Sequence, residues 1–150
     1  MGIFSTLLKN KNREVLLQTV HAIKCRLNTH LGYLAKRPAE EQLAVCIGAA
    51  KFELVLMAKF GTIGQMMITP QEERNDFANK MGTYLKSQEG DLLFWMGLDI
   101  GFAWYNAMDI NGELKDQHVF VDEVRQVFEG FAKRGRGFEG VAAGTGFLDS

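Results

Sequence analysis

The sequence predicts an all-α fold: a single-domain bundle of about five helices packed around a buried central helix near residues 91–109. Three observations carry that reading. Apolar residues recur at three- and four-residue steps through several long segments, the period of an amphipathic helix. Pro38, Pro70, Gly61, Gly64, Gly90 and Gly112 fall between those segments, where helices stop and start. The stretch Leu92–Met108 holds Phe94, Trp95, Phe102, Trp104 and Tyr105, with apolar residues on nearly every side of the helical wheel. A helix looks like that when neighbours surround it.

The first long helix is expected from about Asn12 to Arg37, with Leu16, Val20, Ile23, Leu27, Leu31 and Leu34 as its inner stripe. Pro38 ends it and suits the first turn of the next helix, because proline lacks only an N–H that would be unpaired there. That second helix spans roughly Ala39–Phe60, with Leu43, Ile47, Ala50, Leu54 and Met57 on one face. Gly48, Ala49 and Ala50 at its middle let a neighbouring helix approach closely. Met66-Met67-Ile68 follows as a short apolar link.

Thr69-Pro70-Gln71-Glu72 reads as a capping box: threonine at the cap, proline at the first helical position, glutamate three after the cap. The third helix then runs to about Ser87, with Phe77, Met81, Tyr84 and Leu85 inward. Asp91 caps the central helix. Asn111-Gly112 marks a tight turn, compatible with a β-hairpin but read here as a helix-to-helix turn. Val121, Val124, Val127, Phe128 and Phe131 keep helical spacing beyond it, in a final helix over about Asp116–Lys133. Residues 1–134 form the bundle domain, and 135–150 a glycine-rich C-terminal tail.

Composition narrows the function. Of 150 residues, 47% are hydrophobic and 23% charged, enough for a substantial core without metal or disulfide staples. A net charge of −1 argues against nucleic acid as partner. Lys133, Arg134 and Arg136 read as a solvated helix end whose cations suit the negative helix terminus. No membrane span is expected, because Asp99 at the middle of the apolar helix would cost about 2.5–3.5 kcal/mol in a bilayer. Two isolated thiols, Cys25 and Cys46, and no export signal point to the reducing cytoplasm.

Candidate chemistry is sparse. His21 and Cys25 lie four apart, but zinc needs three or four convergent ligands, so neither metal nor other cofactor is expected. Aligning Gly112 with the glycine of a calcium loop puts Ala107 and His118 at ligand positions, which excludes such a site. Ser5, Ser87 and Ser150 lie in no nucleophile elbow. Asp99, between Gly97 and Gly101 on an apolar element, is a buried carboxylate with a raised pKa, or the partner of Arg74, Lys80 or another helix, or simply exposed on a narrow polar edge with Asn106. Phe94, Trp95, Phe102, Trp104 and Tyr105 are either core or the lining of a site for a flat apolar ligand, and Trp95, Trp104 and Tyr105 with Asp99 form the candidate binding set.

His21-Ala22-Ile23-Lys24-Cys25-Arg26-Leu27-Asn28, followed by Leu31-Gly32-Tyr33, resembles the H-box of histidine-kinase dimerisation domains. The resemblance implies a phospho-accepting His21, with Lys24 and Asn28 beside it, on a dimeric helical bundle. It covers about a dozen residues, with Ala22 where an acidic residue is usual and Arg26 where many members have proline. No glycine-rich nucleotide segment follows, so a phosphotransfer protein is implied and a kinase is not. The leading expectation is a non-enzymatic interaction or regulatory protein, acting on a protein partner through its helix surfaces, with a homodimer as one assembly. A histidine phosphotransfer protein and a carrier of an apolar ligand are the alternatives.

Overall fold

The computed structural model describes residues 11–134, and all statements below concern those residues. They form six α-helices: α1 Lys11–His30, α2 Ala39–Phe60, α3 Ile63–Ile68, α4 Gln71–Gln88, α5 Leu92–Ala107 and α6 Gln117–Arg134. The all-α class and the central helix hold. The glycine-rich tail of 135–150 lies outside the described residues.

α5 is the axis of the bundle, with α2 packed most extensively along it, α6 on another side and α1 packed against α2. Phe94, Met96, Leu98, Ile100, Ala103, Trp104 and Tyr105 are all buried. Asp91 starts α5 as expected, its carboxylate accepting the Leu93 N–H at 2.9 Å. One stripe stays open: Trp95, Asp99 and Phe102 are half-buried and Asn106 is exposed. Steps of three and four residues put these four on a single edge of the helix.

Small residues decide how α2 meets α5. A Cβ on Gly48 would stand 2.2 Å from the Phe94 carbonyl oxygen, and one on Gly97 would stand 2.1 Å from that of Val45. The two backbones touch at that crossing, as the sequence anticipated. The same contact overturns the expected inner face of α2. Val45, Cys46, Ala49, Ala50, Phe52, Val55 and Leu56 are buried, whereas Leu43 is half exposed and Ile47, Leu54 and Met57 are only partly covered. α2 is apolar over most of its circumference, so the small residues, not the largest ones, choose the contact face.

Four further expectations are corrected. α1 stops at His30, and Gly32–Lys36 forms a 3-10 turn, so the first helix is shorter than its stripe suggested. Glycine disfavours continued helix by about 1 kcal/mol relative to alanine, and the break falls there. The link before Thr69 is itself a helix, α3, whose Met66 is fully buried while Ile68 is exposed. The Thr69 capping box does not form: Pro70 occupies the cap of α4, and the Thr69 hydroxyl donates to the Gln65 carbonyl at 3.0 Å. Thr69 thus closes α3. Tyr84, expected inward, is exposed, while Ala78 takes its place in the core.

The connection from α5 to α6 is a helix-to-helix turn with a hairpin-like base. Met108 and Leu114 form one isolated antiparallel bridge, and the Asp109 N–H donates to the Glu113 carbonyl at 2.7 Å. Gly112 lies at φ +80°, in the left-handed region that favours glycine. Asp116 then caps α6 by accepting the His118 N–H at 2.9 Å.

Candidate functional site

Asp99, Phe102 and Asn106 of the open stripe, with Ala103, form the α5 wall of a groove. Asn79 of α4 borders it on one side, and Glu123, Gln126, Val127, Gly130 and Phe131 of α6 on the other. The groove holds about 550 Å³ of space and mixes polar side chains with the partly exposed apolar Phe102 and Val127. Both its carboxylates come from opposite walls. Asp99 pairs with Lys86 of α4 at 2.8 Å, each side chain about a third exposed. Neither Arg74 nor Lys80 reaches it; the partner is a cation from the same neighbouring helix, nearer the turn. Glu123 has no ion pair among the described residues, and its burial raises the carboxyl pKa.

The candidate binding residues do not converge. Asp99 faces the groove, but Trp104 is buried on another side of α5. Its indole N–H donates to the Gly112 carbonyl at 3.2 Å, and its ring meets Phe120 edge-on at 5.2 Å and His30 at 5.6 Å. The Arg26 guanidinium lies over the same ring, 4.3 Å from its centroid, and pairs with Glu53 at 3.2 Å. Trp104 is therefore a junction of α1, α2, α5 and α6. The crevice beside it, also lined by Tyr105, holds about 30 Å³. That is room for a water-sized molecule, against 300–1,000 Å³ for sites of drug-sized ligands.

Tyr105 turns toward α4, donating from its hydroxyl to Asn75 Oδ1 at 2.8 Å. Burial raises its pKa, and the positive charge of Arg74 opposes the shift. Trp95 stands at the start of α5, half-buried, with its indole N–H donating to the Glu89 carbonyl. It serves the α4–α5 corner.

On α1, His21 and Lys24 are exposed and Asn28 is half-buried. His21 Nε2 and Cys25 Sγ are 3.8 Å apart across one helical turn. No group of three or more histidine, cysteine or acidic side chains gathers among the described residues. Cys25 is exposed and Cys46 buried, both as free thiols. No helix among the described residues is long and apolar enough to cross a membrane.

Lys86, Glu123 and Gln126 went unseen in the sequence as site residues. Glu123 and Gln126 look like ordinary outer positions of an amphipathic helix, and nothing local shows that α6 leaves a gap against α5. The Asn75–Tyr105 contact had a detectable signal. The two residues are thirty apart and lie symmetrically about Gly90, as antiparallel neighbours across that break must. Compared with protein-family models, with curated proteins and with solved structures, the chain matches none.

Proposed function

We propose that this protein is a non-enzymatic interaction or regulatory module, cytoplasmic, that holds a basic and apolar segment of a protein partner in the groove between α4, α5 and α6. One observation carries the reading: Glu123 lines the groove beside Val127, partly desolvated and without an ion pair among the described residues. A carboxylate in that setting gains most from a lysine or arginine delivered by a partner, because the approaching cation favours its charged form. Phe102 and Val127, both partly exposed, receive the flanking apolar side chains. Such a division between a desolvated apolar centre and a charged rim is how interfaces combine affinity with specificity. Homodimerisation is a compatible assembly.

Selection from a random peptide library on the immobilised protein tests this. Enriched peptides carry Lys or Arg flanked by large apolar residues, and Glu123→Lys weakens them by at least tenfold. Enriched peptides without a cation, or binding indifferent to Glu123→Lys and to Val127→Asp, would overturn the proposal.

A second reading rests on the exposure of His21 beside Lys24. A phospho-accepting histidine must be reached by its donor, and this imidazole is open to one. In that reading a neutral ring nitrogen attacks phosphoramidate, forming an N–P bond and releasing ammonia. Intact mass should then rise by one phosphoryl group, and His21→Gln should abolish the gain. No gain, or an equal gain in the variant, eliminates this reading.

A further inference from the structure

A second depression lies on the far side of Asn106 from the groove. It encloses about 120 Å³ and is bordered by Gln71, Arg74 and Asn75 of α4, Tyr105 and Asn106 of α5, and Lys115 of the following turn. No acidic side chain lines it, although two cations do. Glu72 and Glu73, in the first turn of the same helix, are exposed outside it.

Arg74 is the unusual member. Its Nε is shut off from solvent and has no hydrogen-bond partner. Its Nη1 donates to the Met67 sulfur at 3.1 Å, and a thioether is a weak acceptor. No carboxylate pairs with Arg74 or Lys115 among the described residues. A guanidinium that is partly buried and poorly accepted is costly, since a desolvated donor without a partner loses what water gave it. The surroundings hold further donors. Asn75 spends its Oδ1 on the Tyr105 hydroxyl, which leaves its amide N–H groups available. Gln71 and Asn106 add two more amides.

The geometry points to an oxyanion-binding crevice: Arg74 and Lys115, aided by the Asn75 and Gln71 amides, hold a phosphate or carboxylate group. A guanidinium and an ammonium facing one crevice give such a group charge-assisted bonds, which are stronger than neutral ones. At about 120 Å³ the crevice is well below the 300–1,000 Å³ of sites for drug-sized ligands, which suits a small oxyanion and not a nucleotide. The inference is independent of the peptide groove. It concerns other residues and the opposite charge, and Asn106 alone borders both.

The full-length protein should be titrated with inorganic phosphate and, separately, with acetate, at constant ionic strength set by chloride. Nitrogen–proton correlation spectra are read at the Arg74 Nε–H and the Asn75 side-chain amide. Saturable shifts at both are expected with at least one anion, and the tighter of the two identifies the group. Lys115→Gln, at an exposed position, should weaken binding at least tenfold while leaving the rest of the spectrum unchanged. Arg74→Lys, which keeps the charge but loses the fork, should also weaken it. Lys36→Gln, exposed in the turn after α1 and outside the crevice, should not. Shifts that grow linearly without saturating, or that spread over other basic surfaces, or that survive Lys115→Gln and Arg74→Lys unchanged, would overturn the assignment.

Discussion

Gly48 of α2 and Gly97 of α5 lie against each other's helix at backbone contact, so that a Cβ on either would meet a carbonyl oxygen near 2.2 Å or 2.1 Å. Real Cβ atoms do not approach so closely, and here the obstacle is backbone, which cannot rotate away. Gly48→Ala or Gly97→Ala must push the two helices apart along the whole central seam. Each should cost at least about 3 kcal/mol in urea unfolding, at the upper end of overpacking effects. Gly82 of α4 is the control, because nothing lies within 4 Å of its added Cβ. Gly82→Ala should stabilise by about 0.5–1 kcal/mol through reduced chain entropy. A loss below 1 kcal/mol at Gly48 would mean that the helices are not in backbone contact.

The two thiols should behave oppositely. Burial raises the Cys46 pKa from 9.0 to about 11, against a smaller opposing effect of Lys24, whereas Cys25 is exposed. Near pH 8 one thiol per folded chain should react quickly with a disulfide reagent, and Cys25→Ser should remove that phase. The linkage has a definite sign. The folded thiol keeps its proton longer than the unfolded one, so its contribution is complete below pH 9. It then falls as pH rises toward 11, by roughly 2–3 kcal/mol in all. Cys46→Ala should flatten that part of the stability profile.

Arg26 should contribute more than a surface cation. It lies 4.3 Å over Trp104 and pairs with Glu53, with about a quarter to a third of the two side chains exposed. Arg26→Ala should cost about 1–2 kcal/mol, the sum of a cation–π contact and a partly exposed ion pair. Arg26→Lys should recover only part, since an ammonium cannot stack flat on the indole. A double-mutant cycle with Glu53→Ala should return a coupling of about 0.5–1 kcal/mol. Coupling near zero would reduce Arg26 to its contact with Trp104.

The cap of α5 offers a simpler test. Asp91→Ala removes the acceptor for the Leu93 N–H and should cost about 1 kcal/mol, with Asp91→Asn close to neutral. Amide exchange should show the loss first at Leu92–Trp95. Thr69→Val, by contrast, should leave the start of α4 intact, because that hydroxyl belongs to α3.

Much of the architecture was legible locally. The stripe Val20, Ile23, Leu27 and Leu31 is buried as its spacing predicts, and α2 begins and ends where its proline and glycine place it. The Asp91 cap and the Asn111-Gly112 turn are short-range signals that involve only neighbouring residues. The candidate site was much less legible. Asp99 stood out as a charge on an apolar helix, but its cation was Lys86 and not Arg74. That choice depends on how far α4 slides along α5, which no local pattern records. Displaced from Asp99, Arg74 is left beside Lys115 with no carboxylate among the described residues.

Local patterns in the chain specify the class of fold, the run of helices and the small residues that let two of them touch, because spacing, capping and bulk act over a few residues. Which face of α2 is buried, which edge of α5 stays open and which charges meet were decided only by the tertiary structure. Those outcomes depend on the angle and offset at which whole helices settle, and α2 and α5 are apolar on too many sides for their patterns to choose. The Gly48–Gly97 crossing makes that choice, and the groove and the crevice are what it leaves uncovered.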